Sequence, residues 1–181
     1  MTEDLLLLVD PADKVIGKAE KLKCHLGSGL LHRAFSVFVF NDKKELLIQK
    51  RSPKKMLWPL FWSNTCCGHP VFDEDYEASA ERRLIEEMGI KTKLKFLYKF
   101  QYQARFGSVG SENELCAVLI GRSNQMPKPD SDEVADFKYV SLDDLKKEIK
   151  ERPDDFTPWF KMELNRLLEY HYEDIEGLFN S

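Results

Sequence analysis

Gly68-His69-Pro70-Val71-Phe72-Asp73-Glu74-Asp75-Tyr76-Glu77-Ala78-Ser79-Ala80-Glu81-Arg82-Arg83-Leu84-Ile85-Glu86-Glu87-Met88-Gly89-Ile90 is the stretch from which the fold can be read. Asp73, Glu74 and Asp75 place negative charge where a helix macrodipole favours it, and Gly89 suits a left-handed C-terminal residue. Between these signals Ala80, Leu84 and Met88 form one apolar face at i,i+4 spacing. Arg83 and Glu87 fall together on another face by the same rule. The spacing predicts a charged amphipathic helix ending at Gly89.

Outward from this helix the chain alternates between strand and helix signals. Leu5–Val9 reads as a short strand. Ala34–Phe40 and Glu45–Lys50 read as a hairpin turning at Asn41-Asp42. Phe35, Val37 and Val39 share one face at period two, Ser36, Phe38 and Phe40 the other, so the first arm is expected to be covered on both sides. Lys95–Ala104, Glu114–Gly121 and Asp136–Val140 read as further strands. Ser141-Leu142-Asp143-Asp144 resembles a capping arrangement for a helix through about Glu151. Thr157-Pro158 reads as an N-cap with Pro at the first helical position of a helix to about Tyr172. The fold class is therefore α+β, a mixed β-sheet with helices on its faces. With 181 residues and no repeat or linker, residues 1–181 are expected to form one domain.

A net charge of -4 offers no general attraction to nucleic acid or to an anionic membrane, so neither is expected as a partner. Glu3 and Asp4 precede only a brief apolar run, unlike a signal peptide with its basic start, and no stretch approaches the roughly 20 apolar residues of a spanning helix. A cytoplasmic protein, monomer or homodimer, is the expectation. Its four cysteines should then be reduced, and without CxxC spacing they do not suggest a zinc ribbon. Cys24, Cys66 and Cys116 read as small buried residues.

The chemistry is concentrated in His25, His32, the run Asn64-Thr65-Cys66-Cys67-Gly68-His69-Pro70, and Glu112-Asn113-Glu114. Three imidazoles and two carboxylates can complete the shell of a divalent transition metal. Glu112 and Glu114 lie two apart, so on a strand both point to one face. His25 or His32 alone would more often be a structural histidine. His171, without such company, gets no function.

From Gly68 the chain also follows a fixed pattern: Gly, five residues, Glu74, seven residues, then Arg82-Arg83-Leu84-Ile85-Glu86-Glu87-Met88-Gly89-Ile90. This resembles the Nudix box, and hence the Nudix fold, with one departure: Arg83 stands where that box has Glu. Clustered carboxylates on one helix hold Mg²⁺, and Mg²⁺ holds a diphosphate. The bland alternative, a solvated face of ion pairs, does not account for so many matches at fixed spacing. Exchanging Glu for Arg removes a Mg²⁺ ligand and adds a fork for phosphate.

Together with Cys67-Gly68-His69-Pro70, Lys50-Arg51, Lys54-Lys55, Trp58-Pro59, Tyr102 and Glu112-Asn113-Glu114, the box resembles the type I isopentenyl-diphosphate isomerases, which share the departure at Arg83. The resemblance runs from Lys21 and His25 to Trp159. It implies interconversion of isopentenyl and dimethylallyl diphosphates, in isoprenoid biosynthesis, through a carbocation-like intermediate. It further implies that His25, His32, His69, Glu112 and Glu114 bind one Mn²⁺, Mg²⁺ or Zn²⁺. Cys67 and Glu114 would be the proton-transfer pair, with Tyr102 hydrogen-bonding near Glu114 and Trp159 stacking on the cation. Lys21, Arg51, Lys55 and Arg83 would hold the diphosphate, and Glu87 and the Cys67 carbonyl its Mg²⁺. Trp159 as core packing, and Lys50 and Lys54 as a solvated edge, are the plainer readings of those residues. Two alternatives remain at this stage. A Nudix hydrolase would leave Cys67 and the three histidines unexplained, and a non-catalytic diphosphate or metal sensor would need a lost catalytic group.

Overall fold

The structure, a computed structural model, describes residues 5–180. The acidic Glu3 and Asp4 lie outside them. In chain order the elements are β1 (Leu5–Val9), β2 (Val15–Glu20), α1 (Lys21–His25), β3 (His32–Phe40), β4 (Leu46–Arg51), β5 (Trp62–Ser63), β6 (Cys66–Gly68), α2 (Tyr76–Met88), β7 (Leu94–Phe106), β8 (Gly110–Arg122), β9 (Val134–Val140), α3 (Leu142–Glu151), α4 (Pro158–Tyr170) and α5 (Tyr172–Gly177).

β3 is the hub of a mixed sheet. It runs parallel to β8 from His32 opposite Glu114 to Phe40 opposite Arg122, and antiparallel to β1 and to β6, where Ser36 faces Cys67. The two faces expected for β3 are present. Phe35, Val37 and Val39 pack with Leu84 and Met88 of α2, whereas Phe38 and Phe40 pack with Phe160, Leu164 and Leu167 of α4. Each such fully buried side chain contributes roughly 1.5–3 kcal/mol, so both helix layers are fastened to the sheet by burial.

α2 begins at Tyr76 because the Asp75 carboxylate caps it, accepting the Ala78 N–H at 2.7 Å, and it ends at Gly89 in the left-handed region (φ 66°). Ser141 caps α3 through the Asp144 N–H at 3.1 Å. Three expectations need correction. The hairpin of β3 and β4 pairs only at Phe40 and Leu46, because beyond them β6 takes the edge of β3 and β5 takes that of β4, while β9 pairs along the other edge of β4. Thr157 makes no side-chain cap, since its hydroxyl bonds Ser63 Oγ at 3.0 Å instead. The last helix stops at Tyr170: His171 leaves helical geometry, and α5 restarts at Tyr172.

Two glycines seat the elements around the site. A Cβ on Gly68 would lie 2.6 Å from the Phe35 ring, and one on Gly110 would lie 2.3 Å from the His25 carbonyl oxygen. Only hydrogen at these positions lets β6 lie on β3 and lets α1 rest against β8.

Candidate active site

The three histidines arrive from separate elements. His25 closes α1, His32 opens β3 and His69 follows β6, yet their ring centroids lie 4.9, 5.1 and 5.8 Å apart. Alternation along β8 turns Glu112 and Glu114 to the same side, and the parallel register sets Glu114 beside His32. Glu114 Oε1 is 3.5 Å from His32 Nε2 and 3.3 Å from His69 Nε2, while Glu112 Oε2 is 2.9 Å from His25 Nε2. All five side chains named for a metal are thus brought together. Ligand atoms of His25, His32, His69 and Glu114 fall within 4.8 Å of one another.

The hydrogen bonds of this cluster test whether it suits a cation. His25 Nδ1 donates to the Lys21 carbonyl at 2.6 Å, and His32 Nδ1 to the Leu30 carbonyl at 2.7 Å. Both Nε2 atoms therefore face carboxylate oxygens, that of His25 near Glu112 and that of His32 near Glu114. His32 Nε2 and Glu112 Oε2 are buried without a hydrogen-bond partner. Burial holds the His69 imidazole down at about 3, so it is neutral. Burial works against the Glu114 charge, yet His32 and His69 hold its carboxyl well below the usual range. Imidazole nitrogens and carboxylate oxygens converging on one point, with His32 Nε2 and Glu112 Oε2 left without partners, fit a divalent metal.

This cluster forms one wall of a cavity of about 690 Å³. Cys67, Tyr102 and Trp159, the cations Lys21, Arg51, Lys55 and Arg83, and Glu87 also line it. His32 alone is fully buried behind its wall. Cys67 on β6 and Glu114 on β8 occupy strands on either edge of β3. The Cys67 thiol donates to Asn64 Oδ1 at 3.0 Å; burial, with the nearby Glu163 charge, pushes it up to about 12. The Tyr102 hydroxyl donates to Glu114 Oε2 at 2.5 Å, on the carboxylate oxygen away from the histidines. Trp159 is fixed by its N–H on Ser63 Oγ at 3.1 Å and by an edge-on contact with Trp58.

Opposite the histidines lies a cationic end. Arg83 Nη2 meets Glu87 Oε1 at 2.5 Å, and Arg83 Nη1 meets Glu86 Oε2 at 2.7 Å. Burial raises the Glu87 carboxyl despite that guanidinium. Arg51 donates to the Leu57 and Trp58 carbonyls at 2.9 and 3.0 Å and lies 5.2 Å from the Trp159 ring centroid. It therefore braces the loop before β5 as well as lining the cavity. That loop needs bracing, because Trp58 and Leu60 hold left-handed backbone (φ 46° and 64°). Lys54 pairs with Asp132 on the surface, and Lys50 lies over the Trp62 ring, in keeping with the plainer reading of both. Glu74, one of the box positions, binds Arg82 through both oxygens at 3.0 and 3.1 Å, which explains their spacing as a tie from loop to helix.

Sequence reading missed three groups. Asn64 takes the Cys67 thiol hydrogen. Glu133 contacts Lys55 and Arg83, which hold its carboxyl below the usual range against the effect of burial. Glu163 is fully buried, lies 3.5 Å from Cys116 Sγ and is pushed by burial up to about 8. Its signal is an acid on the apolar stripe of α4, four residues after Trp159. Cys24, Cys66 and Cys116 are buried free thiols, as expected. His171 stacks on Tyr98 at 4.8 Å, away from the cluster.

Comparison with known proteins gives this arrangement a context. A family model described as the NUDIX domain matches residues 30–160. The chain is 45% identical over 174 residues to isopentenyl-diphosphate Delta-isomerase 2 of Photorhabdus laumondii, covering 96% of each protein. It is 39% identical over 172 residues to isopentenyl-diphosphate Delta-isomerase 1 of the same organism, covering 94% of this chain and 98% of that one. With isopentenyl-diphosphate Delta-isomerase II, chloroplastic, of Arabidopsis thaliana the identity is 37%, over 97% of this chain and 71% of that protein. Among solved structures, DR0079 from Deinococcus radiodurans superposes with a TM-score of 0.67 at 21% identity, covering 82% of this chain and 90% of that one. That likeness bears on the fold alone.

Proposed function

We infer the reaction from one premise: the chain belongs to the isopentenyl-diphosphate Delta-isomerase family, built on a NUDIX domain. It is an isomerase that interconverts isopentenyl and dimethylallyl diphosphates. The observation that carries the mechanism is the position of Cys67 and Glu114 on strands flanking β3, both lining one cavity with a cationic end.

The geometry supports the following division of labour. Lys21, Lys55, Arg51 and Arg83 hold the diphosphate, so that the alkene reaches inward between Cys67 and Glu114. One member of that pair gives its proton to the terminal methylene, which leaves a positive charge on the tertiary carbon. The other takes a proton from the adjacent methylene, and the C–H electron pair becomes the new double bond. Because the reaction is reversible, each group is the acid in one direction and the base in the other. An alkene is a very poor base, so the acid must be held close and water kept out. The packed Tyr102, Trp58 and Trp159 side chains do the second task. The Trp159 ring attracts the cation only once it has formed, which favours the transition state over the neutral substrate. Tyr102 steadies Glu114 through its hydroxyl.

The His25, His32, His69, Glu112 and Glu114 set would hold Mn²⁺, Mg²⁺ or Zn²⁺, and Glu87 with the Cys67 carbonyl would hold Mg²⁺. When bound, the first would tune the proton affinity of Glu114 and the second would offset diphosphate charge.

One assay tests this reading: purified protein with isopentenyl diphosphate and Mg²⁺, following dimethylallyl diphosphate and released phosphate. Isomer without phosphate is the expected result. Phosphate release would make the chain a hydrolase, and binding without turnover a sensor.

A further inference from the structure

Lys55 and Arg83 share a partner that the mechanism above does not use. The Lys55 ammonium contacts Glu133 Oε2, and Arg83 Nη2 lies 3.4 Å from Glu133 Oε1, so each carboxylate oxygen takes one cation. The same Arg83 nitrogen also binds Glu87 Oε1 at 2.5 Å. Glu133 and Glu87 thus converge on one guanidinium nitrogen. The loop that carries Glu133 is pinned, with its N–H on the Asp130 carbonyl at 3.0 Å and its own carbonyl taking the Ser52 N–H at 3.0 Å. Its side chain lines the cavity.

Two oxygens on one atom, reaching a lysine and an arginine together, reproduce the contact that a phosphoryl group makes. We propose that Glu133 is a specificity-determining residue that holds the place of a phosphoryl group, so that diphosphate binding depends on an accompanying divalent cation. This rests on the diphosphate reading of Lys55 and Arg83. A bare diphosphate must displace Glu133 or lie against the Glu133 and Glu87 charges, where burial makes repulsion strong. A diphosphate arriving with a divalent cation brings positive charge with which both carboxylates can pair. Glu133 therefore penalises the first ligand and barely affects the second.

The probe is inorganic pyrophosphate, titrated calorimetrically into the full-length protein without added Mg²⁺ and with saturating Mg²⁺. Glu133→Gln should bind Mg²⁺-free pyrophosphate about tenfold tighter than wild type, the scale of one like-charge contact in a partly buried site. With Mg²⁺ the two should agree within about twofold. An unchanged melting temperature shows that the variant is folded. Asp132→Asn removes a neighbouring but exposed carboxylate, paired with Lys54, and should leave both affinities unaltered. Equal Mg²⁺-free affinities for wild type and Glu133→Gln overturn the proposal. So does an equal shift in both conditions, or the same shift in Asp132→Asn. If instead pyrophosphate fails to compete with isopentenyl diphosphate in wild type, the diphosphate reading itself falls.

Discussion

The two ends of the cavity are built on opposite terms. At the histidine end His25 and His32 are buried, and backbone carbonyls fix their orientation. His32 Nε2 and Glu112 Oε2 have no hydrogen-bond partner there, so the cluster has directions that its own atoms do not satisfy. At the cationic end Arg83, Glu87, Glu133 and Lys55 already satisfy one another, and the Arg83, Lys55 and Glu133 side chains are each about a quarter exposed. On the proposed reading, the first end is held in place by backbone hydrogen bonds to suit a cation of fixed geometry. On the same proposed reading, the second works by exchanging partners. A small site can thus combine one part that must not move with another that must rearrange.

Several substitutions would break or sharpen this contrast. Cys67→Ala removes the group proposed for proton transfer and should lower turnover by about 10²- to 10⁴-fold, with melting temperature little changed. Retention of more than about a tenth of the activity would end the role assigned to Cys67. At the histidine end, His32→Ala or Glu112→Gln should lower bound transition metal in elemental analysis, and melting temperature should no longer rise with added metal. Unchanged stoichiometry in both would show that the cluster is not a metal site.

At the exchangeable end, Arg83→Glu should act mainly on KM, raising it by roughly tenfold to a hundredfold through loss of charge-assisted contacts. Steady-state kinetics showing an unaltered KM would reduce Arg83 to a helix-surface charge. Trp159→Leu, which keeps bulk without a ring, should slow turnover by about thirtyfold, with Trp159→Phe intermediate, if the cation–π contact is worth about 2 kcal/mol. Equal rates for the two variants, measured beside their melting temperatures, would leave Trp159 a packing residue. The smallest effect concerns Lys54→Ala. Its pair with Asp132 is exposed, so neither thermal melting nor KM should change measurably.

Legibility in the sequence follows the same physical divide. α2 could be read because its caps, Asp75 and Gly89, and its apolar face are all local. β3 could be read because Phe35, Val37 and Val39 alternate with Phe38 and Phe40 over a long run. β2 was invisible, since Val15–Glu20 is exposed or half-buried throughout and carries no apolar stripe. α1, β5 and β6 are too short for any period to register. The candidate metal-ligand set was legible from residue types, and its members lie together in the structure. Glu133 was not, because within Asp130-Ser131-Asp132-Glu133 it looks like one charge of a solvated loop. Only the tertiary approach of Lys55 and Arg83 singles it out.

The parallel pairing of β3 with β8 has a kinetic consequence. His32 can meet Glu114 only after the intervening chain, with β4, β6, α2 and β7, has been brought round to close a long loop. Such non-local closure loses chain entropy before any contact rewards it, and it slows folding. The histidine–glutamate cluster should therefore be among the last features to form during refolding. A metal ion present from the start would meet scattered ligands rather than a site.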